Sequence, residues 1–100
     1  MITESAELDC DRDLTLFIAC YNEEQGIVDT LHTVIDAVRE VGITYDIVII
    51  DDCSRDRSVD LICEFMARHP DLPITLYVNK VNQGLGANCA EAAFRGRGRY

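Results

Sequence analysis

The apolar positions change period six times along this chain, and each change marks an element. LTLFIAC, from Leu14 to Cys20, is a nearly continuous apolar run of strand length, as expected of a strand covered on both faces. From Glu23 to about Val41 the spacing becomes helical: Ile27, Leu31, Val34, Ile35, Val38 and Val41 fall on one stripe. Asn22 is placed as its N-cap, Gln25 at the capping-box position, and Gly42 as its stop. DIVII, from Asp46 to Ile50, reads as a second strand with apolar residues on both faces. A helix from about Asp56 to Arg68 follows, with Val59, Ile62, Cys63 and Met66 on one face and Pro70 behind it. ITLYV, Ile74 to Val78, is a third strand. The segment from Asn82 to Gly86 then turns into a small-residue helix that reaches about Arg95.

Strand and helix alternate with short connections, which predicts a Rossmann-like α/β fold in three layers, α/β/α, on a parallel sheet. Met1 to Asp13 is polar and reads as a lead-in, and the domain occupies residues 14–100. Three parallel strands make a small sheet with exposed edges, so the expectation is part of a domain, open to self-association along an edge.

Composition narrows the classes. A formal charge of −9 has the wrong sign for general binding to nucleic acid or anionic membrane. Five cysteines without a Cys-x-x-Cys pair suggest reduced thiols and a cytoplasmic setting. The acidic start does not resemble a signal peptide, and no apolar run is long enough for a membrane span. Membrane contact is therefore expected only through residues that follow this chain.

Candidate chemistry sits where the strands end, since ligands of open parallel sheets bind beyond the carboxyl ends of the strands. Ala19 to Glu23, Asp51 to Ser54 and Asn79 to Gly86 all follow apolar runs and are expected to converge on one crevice. The acidic pair Asp51 and Asp52 is the sharpest feature. Capping of the second helix would explain it, but Ser54 and Asp56 are better placed for that work. A carboxylate emerging at the rim can instead accept from a base N–H or a ribose hydroxyl. Tyr21 is an ordinary rim aromatic or a surface for a base, and Glu23 is either a dipole complement or a ligand contact. Gly84 and Gly86 follow the third strand, not the first, which counts against a dinucleotide fingerprint. His32 and His69 read as structural, and Arg95, Arg97 and Arg99 as helix-end charge.

Taken together, ACYNEE (19–24), IVIIDDCSRD (47–56) and NQGLGANCA (82–90) resemble, in order and spacing, the N-terminal part of a family 2 glycosyltransferase of the GT-A fold. The dolichol-phosphate mannose synthase-like, polyprenyl-phosphate branch is the most similar. The resemblance implies a nucleotide-sugar donor, UDP- or GDP-linked, and an acceptor that can be a polyprenyl phosphate. It implies that Tyr21, Glu23 and the backbone of Ala19 line the base and ribose pocket. Asp52 would contact the base edge, Asp51 would shape the loop or ribose side, and Asn82 and Gly84 would lie near the nucleotide. Ala19 stands where the family commonly has Pro, Cys53 where Gly is usual, and Leu85 where Lys is frequent. The family's divalent metal, Mg²⁺ or Mn²⁺, is held by an Asp-x-Asp expected after Tyr100. No metal ligand and no catalytic residue is therefore expected in these 100 residues, which alone should not transfer sugar. A phospho-receiver domain fits less well, because its acidic pair would follow the first strand. A non-catalytic interaction domain pairing through a sheet edge is the other rival.

Overall fold

The computed structural model describes residues 12–98; the greater part of the lead-in, Cys10 and Arg99 lie outside that range. Strands β1 (Leu14–Cys20), β2 (Tyr45–Asp51) and β3 (Ile74–Val78) alternate with helices α1 (Ile27–Val41), α2 (Ser58–Arg68) and α3 (Leu85–Arg95). The strands pair in parallel in the order β1-β2-β3. The expected parallel three-layer architecture is what forms.

Strand period 2 divides the core between the two faces. Ile47 and Ile49 of β2 point, with Ile18 and Cys20 of β1, toward Leu31 and Ile35 of α1 and Ile62 and Phe65 of α2. Val48 and Ile50 point the other way, against Ala92 of α3, flanked by Phe17 and Tyr77. Only β2 is covered on both faces along its length. β1 and β3 are partly exposed, contrary to the expectation for β1, because a three-stranded sheet gives a fully flanked position to its middle strand alone.

The first two crossovers build outward from β1, but after β3 the chain moves to the opposite face and returns past β1. There Gly98 forms a parallel bridge with Arg12. Polar contacts fasten this return: Thr15 Oγ1 donates to Asp46 Oδ1 (2.6 Å), and the N–H of Arg97 donates to Asp46 Oδ2 (3.1 Å). The returning chain is thereby held beside the amino end of β1.

The starts of two helices differ from expectation. α1 begins at Ile27 behind Gly26, with no side-chain cap, and not at Glu23 behind Asn22. Asn22 is left-handed (φ 51°), and its Oδ1 accepts from the N–H of Arg55. The amides that precede α1 are satisfied from across the sheet: Glu23 N–H donates to Ser58 Oγ (2.8 Å) and Glu24 N–H to Asp56 Oδ2 (3.1 Å). A capping box using Asn22 and Gln25 is thus replaced by contacts that no local pattern encodes. α2 begins at Ser58, two residues later than expected, with Asp56 Oδ1 accepting from the N–H of Ser58 (2.9 Å).

His32 is exposed on α1, and its ring meets Phe65 edge-on at 5.1 Å, so its structural role stands. Arg95 pairs with Glu91 and lies 4.9 Å over the Tyr77 ring, a helix-end arrangement. Among the described residues no helix is long and apolar enough to cross a membrane.

Candidate nucleotide site at the carboxyl rim

Strand register brings the three loops to one height. Cys20 pairs with Asp51, and Asp51 with Val78, so all three strands end on one line. The ladder runs one step further: Asp52 N–H donates to the Cys20 carbonyl and Asn79 N–H to that of Asp51, both at 2.8 Å.

Above this line lies a cavity of about 310 Å³ lined by Ala19, Cys20, Tyr21, Glu23, Asp52, Asn82, Gly84, Leu85 and Asn88. Six of the seven residues singled out in the sequence meet there: Ala19, Tyr21, Glu23, Asp52, Asn82 and Gly84. Asp51 does not. Neither aspartate stands free in solvent at the rim: Asp51 is 0% and Asp52 6% exposed, and only Asp52 lines the cavity.

The two carboxylates diverge because adjacent residues at the end of a strand point to opposite sides. Asp51 turns inward, where its Oδ2 accepts from the N–H of Ser54 (2.9 Å) and its Oδ1 from the Ser54 hydroxyl (2.5 Å). Ser54 Oγ in turn accepts from the N–H of Asn22 (2.8 Å), which ties the first loop to the second. Asp51 therefore shapes the loop, and its expected place on the ribose side is not supported. Asp52 faces the third loop. Its Oδ1 accepts from Asn79 Nδ2 (3.0 Å) and Gln83 N–H (2.7 Å), and its Oδ2 from Gly84 N–H (2.9 Å). Gly84 has φ of 86°, a conformation glycine adopts freely, and it aims that N–H at the carboxylate.

These donors set the charges of the rim. The Asn79 amide, followed by the Gln83 N–H, holds the Asp52 carboxyl below its ordinary range, so it is an anion at neutral pH. Burial pushes Asp56 upward, but the Ser58 hydroxyl and amide and the Glu24 amide outweigh it and leave its carboxyl lowered. Burial, with the Asp51 carboxylate adding to it, raises the Cys20 thiol to about 11, so this buried sulfur stays protonated.

Cys20, Asn88 and Asn79 were not singled out, and Leu85 only as the residue standing where the family often has Lys. Cys20 looked like a core residue and is one. Leu85 and Asn88 belong to the first turn of α3, which the glycines around Gly84 disguise as turn. Asn79, the residue directly after β3, was the available signal. It donates its second amide hydrogen to Asn88 Oδ1 (2.9 Å).

Among the described residues no group of three or more His, Cys, Asp or Glu is close enough to hold a metal ion. Asp52 in particular is surrounded by N–H donors, the opposite of a cation's requirement, so these residues do not fit a metal centre.

The family profile described as glycosyl transferase family 2 matches residues 15–100. The chain belongs to that family. A dolichyl-phosphate beta-glucosyltransferase of Dictyostelium discoideum is 28% identical over 92 residues, covering 87% of this chain and 28% of the relative. That likeness agrees with the polyprenyl-phosphate branch suggested by the motifs. Among solved structures, the mannosyltransferase PcManGT from Pyrobaculum calidifontis, in complex with GDP-Man and Mn²⁺, superposes with a TM-score of 0.70 at 24% identity. The match covers 81% of this chain and 23% of that one. TarS of S. aureus (residues 1–349) gives 0.69 at 19% identity, covering 86% of this chain and 25% of TarS. TarS has also been solved with UDP, a structure that superposes at 0.55 over 70% of this chain and 20% of that one. At these identities the structural matches establish the GT-A fold. The chain spans roughly a quarter of the length of these relatives (28%, 23% and 25%).

Proposed function

We propose that this chain is the nucleotide-binding portion of a glycosyltransferase that moves a sugar from a nucleotide-sugar donor to an acceptor, a polyprenyl phosphate being the class its dolichyl-phosphate relative suggests. The observation that carries the reading is the meeting of three strand-end loops around one anionic carboxylate, Asp52, at the carboxyl rim of the sheet. In this reading the Tyr21 ring packs against the base and Asp52 accepts a hydrogen bond from the base edge. Glu23 and the Ala19 backbone face the ribose, while Asn82 and Gly84 close the third side.

The neighbours solved with GDP-Man and with UDP support a nucleoside-diphosphate ligand class. A divalent cation, like the Mn²⁺ of the mannosyltransferase complex, belongs in this proposal to ligands outside these residues. Sugar transfer therefore needs more than this chain. We place the site on the cytoplasmic side.

Calorimetric titration of the folded chain with UDP and GDP tests the reading, repeated with Asp52→Ala. Binding of at least one nucleotide, weakened tenfold or more by the substitution, is expected: one lost charge-assisted hydrogen bond is worth about 1.5–3 kcal/mol. Binding indifferent to the substitution would remove Asp52 from the site. Sugar transfer to a lipid phosphate by the isolated chain would overturn its assignment as a binding portion only.

A further inference from the structure

We propose that Asn79 is a positioning residue of this site: without lining the cavity, it aims the Asp52 carboxylate into it and turns the buried Asn88 amide toward that carboxylate. The inference rests on the nucleotide-binding reading above and concerns how its central group is held.

Register brings the three residues together. Asp51 pairs with Val78, and the next bond of the ladder, from Asn79 N–H to the Asp51 carbonyl (2.8 Å), sets Asn79 beside Asp52. Residues level with each other in a parallel pair point to the same side, and period 2 places Asp52 on the side of Val48 and Ile50, under α3. α3 buries Asn88 and Ala92, which lie one turn apart on the same face. Ala92 meets Val48 and Ile50, while Asn88, only 3% exposed, meets Asn79. A buried amide needs polar partners, and the strand ends supply them.

Charge decides which way each amide faces. An ionised carboxylate only accepts, so Asn79 must present its NH₂ group to Asp52 Oδ1 (3.0 Å). The second hydrogen of that group reaches Asn88 at 2.9 Å, and the atom that receives it is Oδ1. With its oxygen engaged there, Asn88 turns its own NH₂ group to Asp52 and joins the donors that favour the anion. One amide thus orients two residues that line the cavity, Asp52 and Asn88, from a place outside the lining. Gln83 and Gly84 also donate to Asp52, but they belong to the third loop, whereas Asn79 is bonded into the sheet ladder.

The other titratable groups nearby are Glu23 and Cys20 on the cavity side and the Glu91–Arg95 pair in the adjoining cavity that Asn79 does line. None of them is altered in the test. Wild type, Asn79→Ala and Asn79→Asp are compared by carboxyl-carbon NMR titration of Asp52 and by calorimetry with UDP and GDP. Circular dichroism and protection of the Glu23 amide check that each variant folds. Asn79→Ala should raise the Asp52 midpoint and weaken whichever nucleotide the wild type binds by about tenfold. Asn79→Asp keeps the shape and removes the donor, so at neutral pH it sets two carboxylates together and should bind no better than Asn79→Ala. Acid gives that pair one shared proton, which restores a donor to Oδ1. Its affinity relative to the wild type at the same pH should therefore rise between about pH 7 and pH 5; a packing role for Asn79 predicts no rise. An Asp52 midpoint unmoved by Asn79→Ala, unchanged nucleotide binding in both variants, or no rise with acid in Asn79→Asp would each overturn the positioning role and leave the nucleotide reading in place. Binding of neither nucleotide by the wild type would remove both.

Discussion

The two walls of the crevice are held together in different ways. The first and second loops are fastened by hydroxyls and amides: Ser54 takes the Asn22 amide, Ser58 that of Glu23, and Asp56 that of Glu24. Ser58 is fully buried there, under the carboxyl ends of β1 and β2. The second and third loops depend on one carboxylate, since Asn79, Gln83 and Gly84 all converge on Asp52. The first wall spreads its bonds over two hydroxyls and the Asp56 carboxylate, each taking one backbone amide. The second puts its structural bonds on the same group that the proposed ligand must use. A binding carboxylate held this way is rigid and ionised before the ligand arrives, and it has little capacity to spare.

That contrast can be broken by degrees. Ile49→Ala, deep in the middle strand, should be the most damaging, at about 2–5 kcal/mol, and should lower both walls together in a chemical melt. A loss confined to one wall would show that the sheet does not couple them. Ser58→Ala comes next, at about 1–3 kcal/mol for the Glu23 amide left unsatisfied beneath the rim and the hydroxyl lost from Asp56 Oδ1. Hydrogen exchange should speed up at Glu23 and stay unchanged at Gln83 and Gly84; uniform acceleration would contradict separate latches. Asp52→Ala should give the converse, with a smaller fall in melting temperature, faster exchange at Gln83 and Gly84, and Glu23 still protected.

Acid should loosen both walls. Asp52 and Asp56 have folded-state values below the ordinary 3.8, so each contributes stability that is complete above the unfolded value. That contribution is lost as the pH falls below about 4 toward the lowered folded values. Melting temperature measured from pH 6 down to 3 should be level at first and then fall. Asp52→Asn should make the fall shallower, and an unchanged curve would mean that Asp52 gains nothing from its donors. The smallest effect is chemical: with its thiol raised to about 11 and buried, Cys20 should react with a thiol reagent at pH 8 far more slowly than exposed Cys63 or Cys89. Labelling of Cys20 at the rate of those two would show that the core beneath the rim opens readily.

Much of this was legible in the residues. Apolar runs of strand length separated by a helical stripe can settle in few ways, and all six elements were recovered, two of them with the same limits, Leu14–Cys20 and Ile74–Val78, and α1 with its C-terminal end at Val41 before Gly42. Six residues of the crevice were also legible, because polar and aromatic groups placed directly after buried strands have few places to go but the rim. What failed was local. Asn22 and Gln25 fit a capping box by type and spacing, yet the Ser58 hydroxyl and Asp56 carboxylate, more than thirty residues away, supply the acceptors instead. Asn79 and Asn88 were passed over because a single asparagine in a loop or a helix carries no pattern.

By itself, then, the sequence determined the order of elements, most of the inward stripe of α1 and the family, whereas Val41 and Cys63, expected on inward faces, are exposed. Order, stripe and family follow from periodicity and from motifs whose meaning is carried along the chain. Only the tertiary structure decided which of two adjacent aspartates faces the crevice and which donors hold it. The partners that use up a carboxylate come from other strands and loops, and register alone brings them within hydrogen-bonding distance.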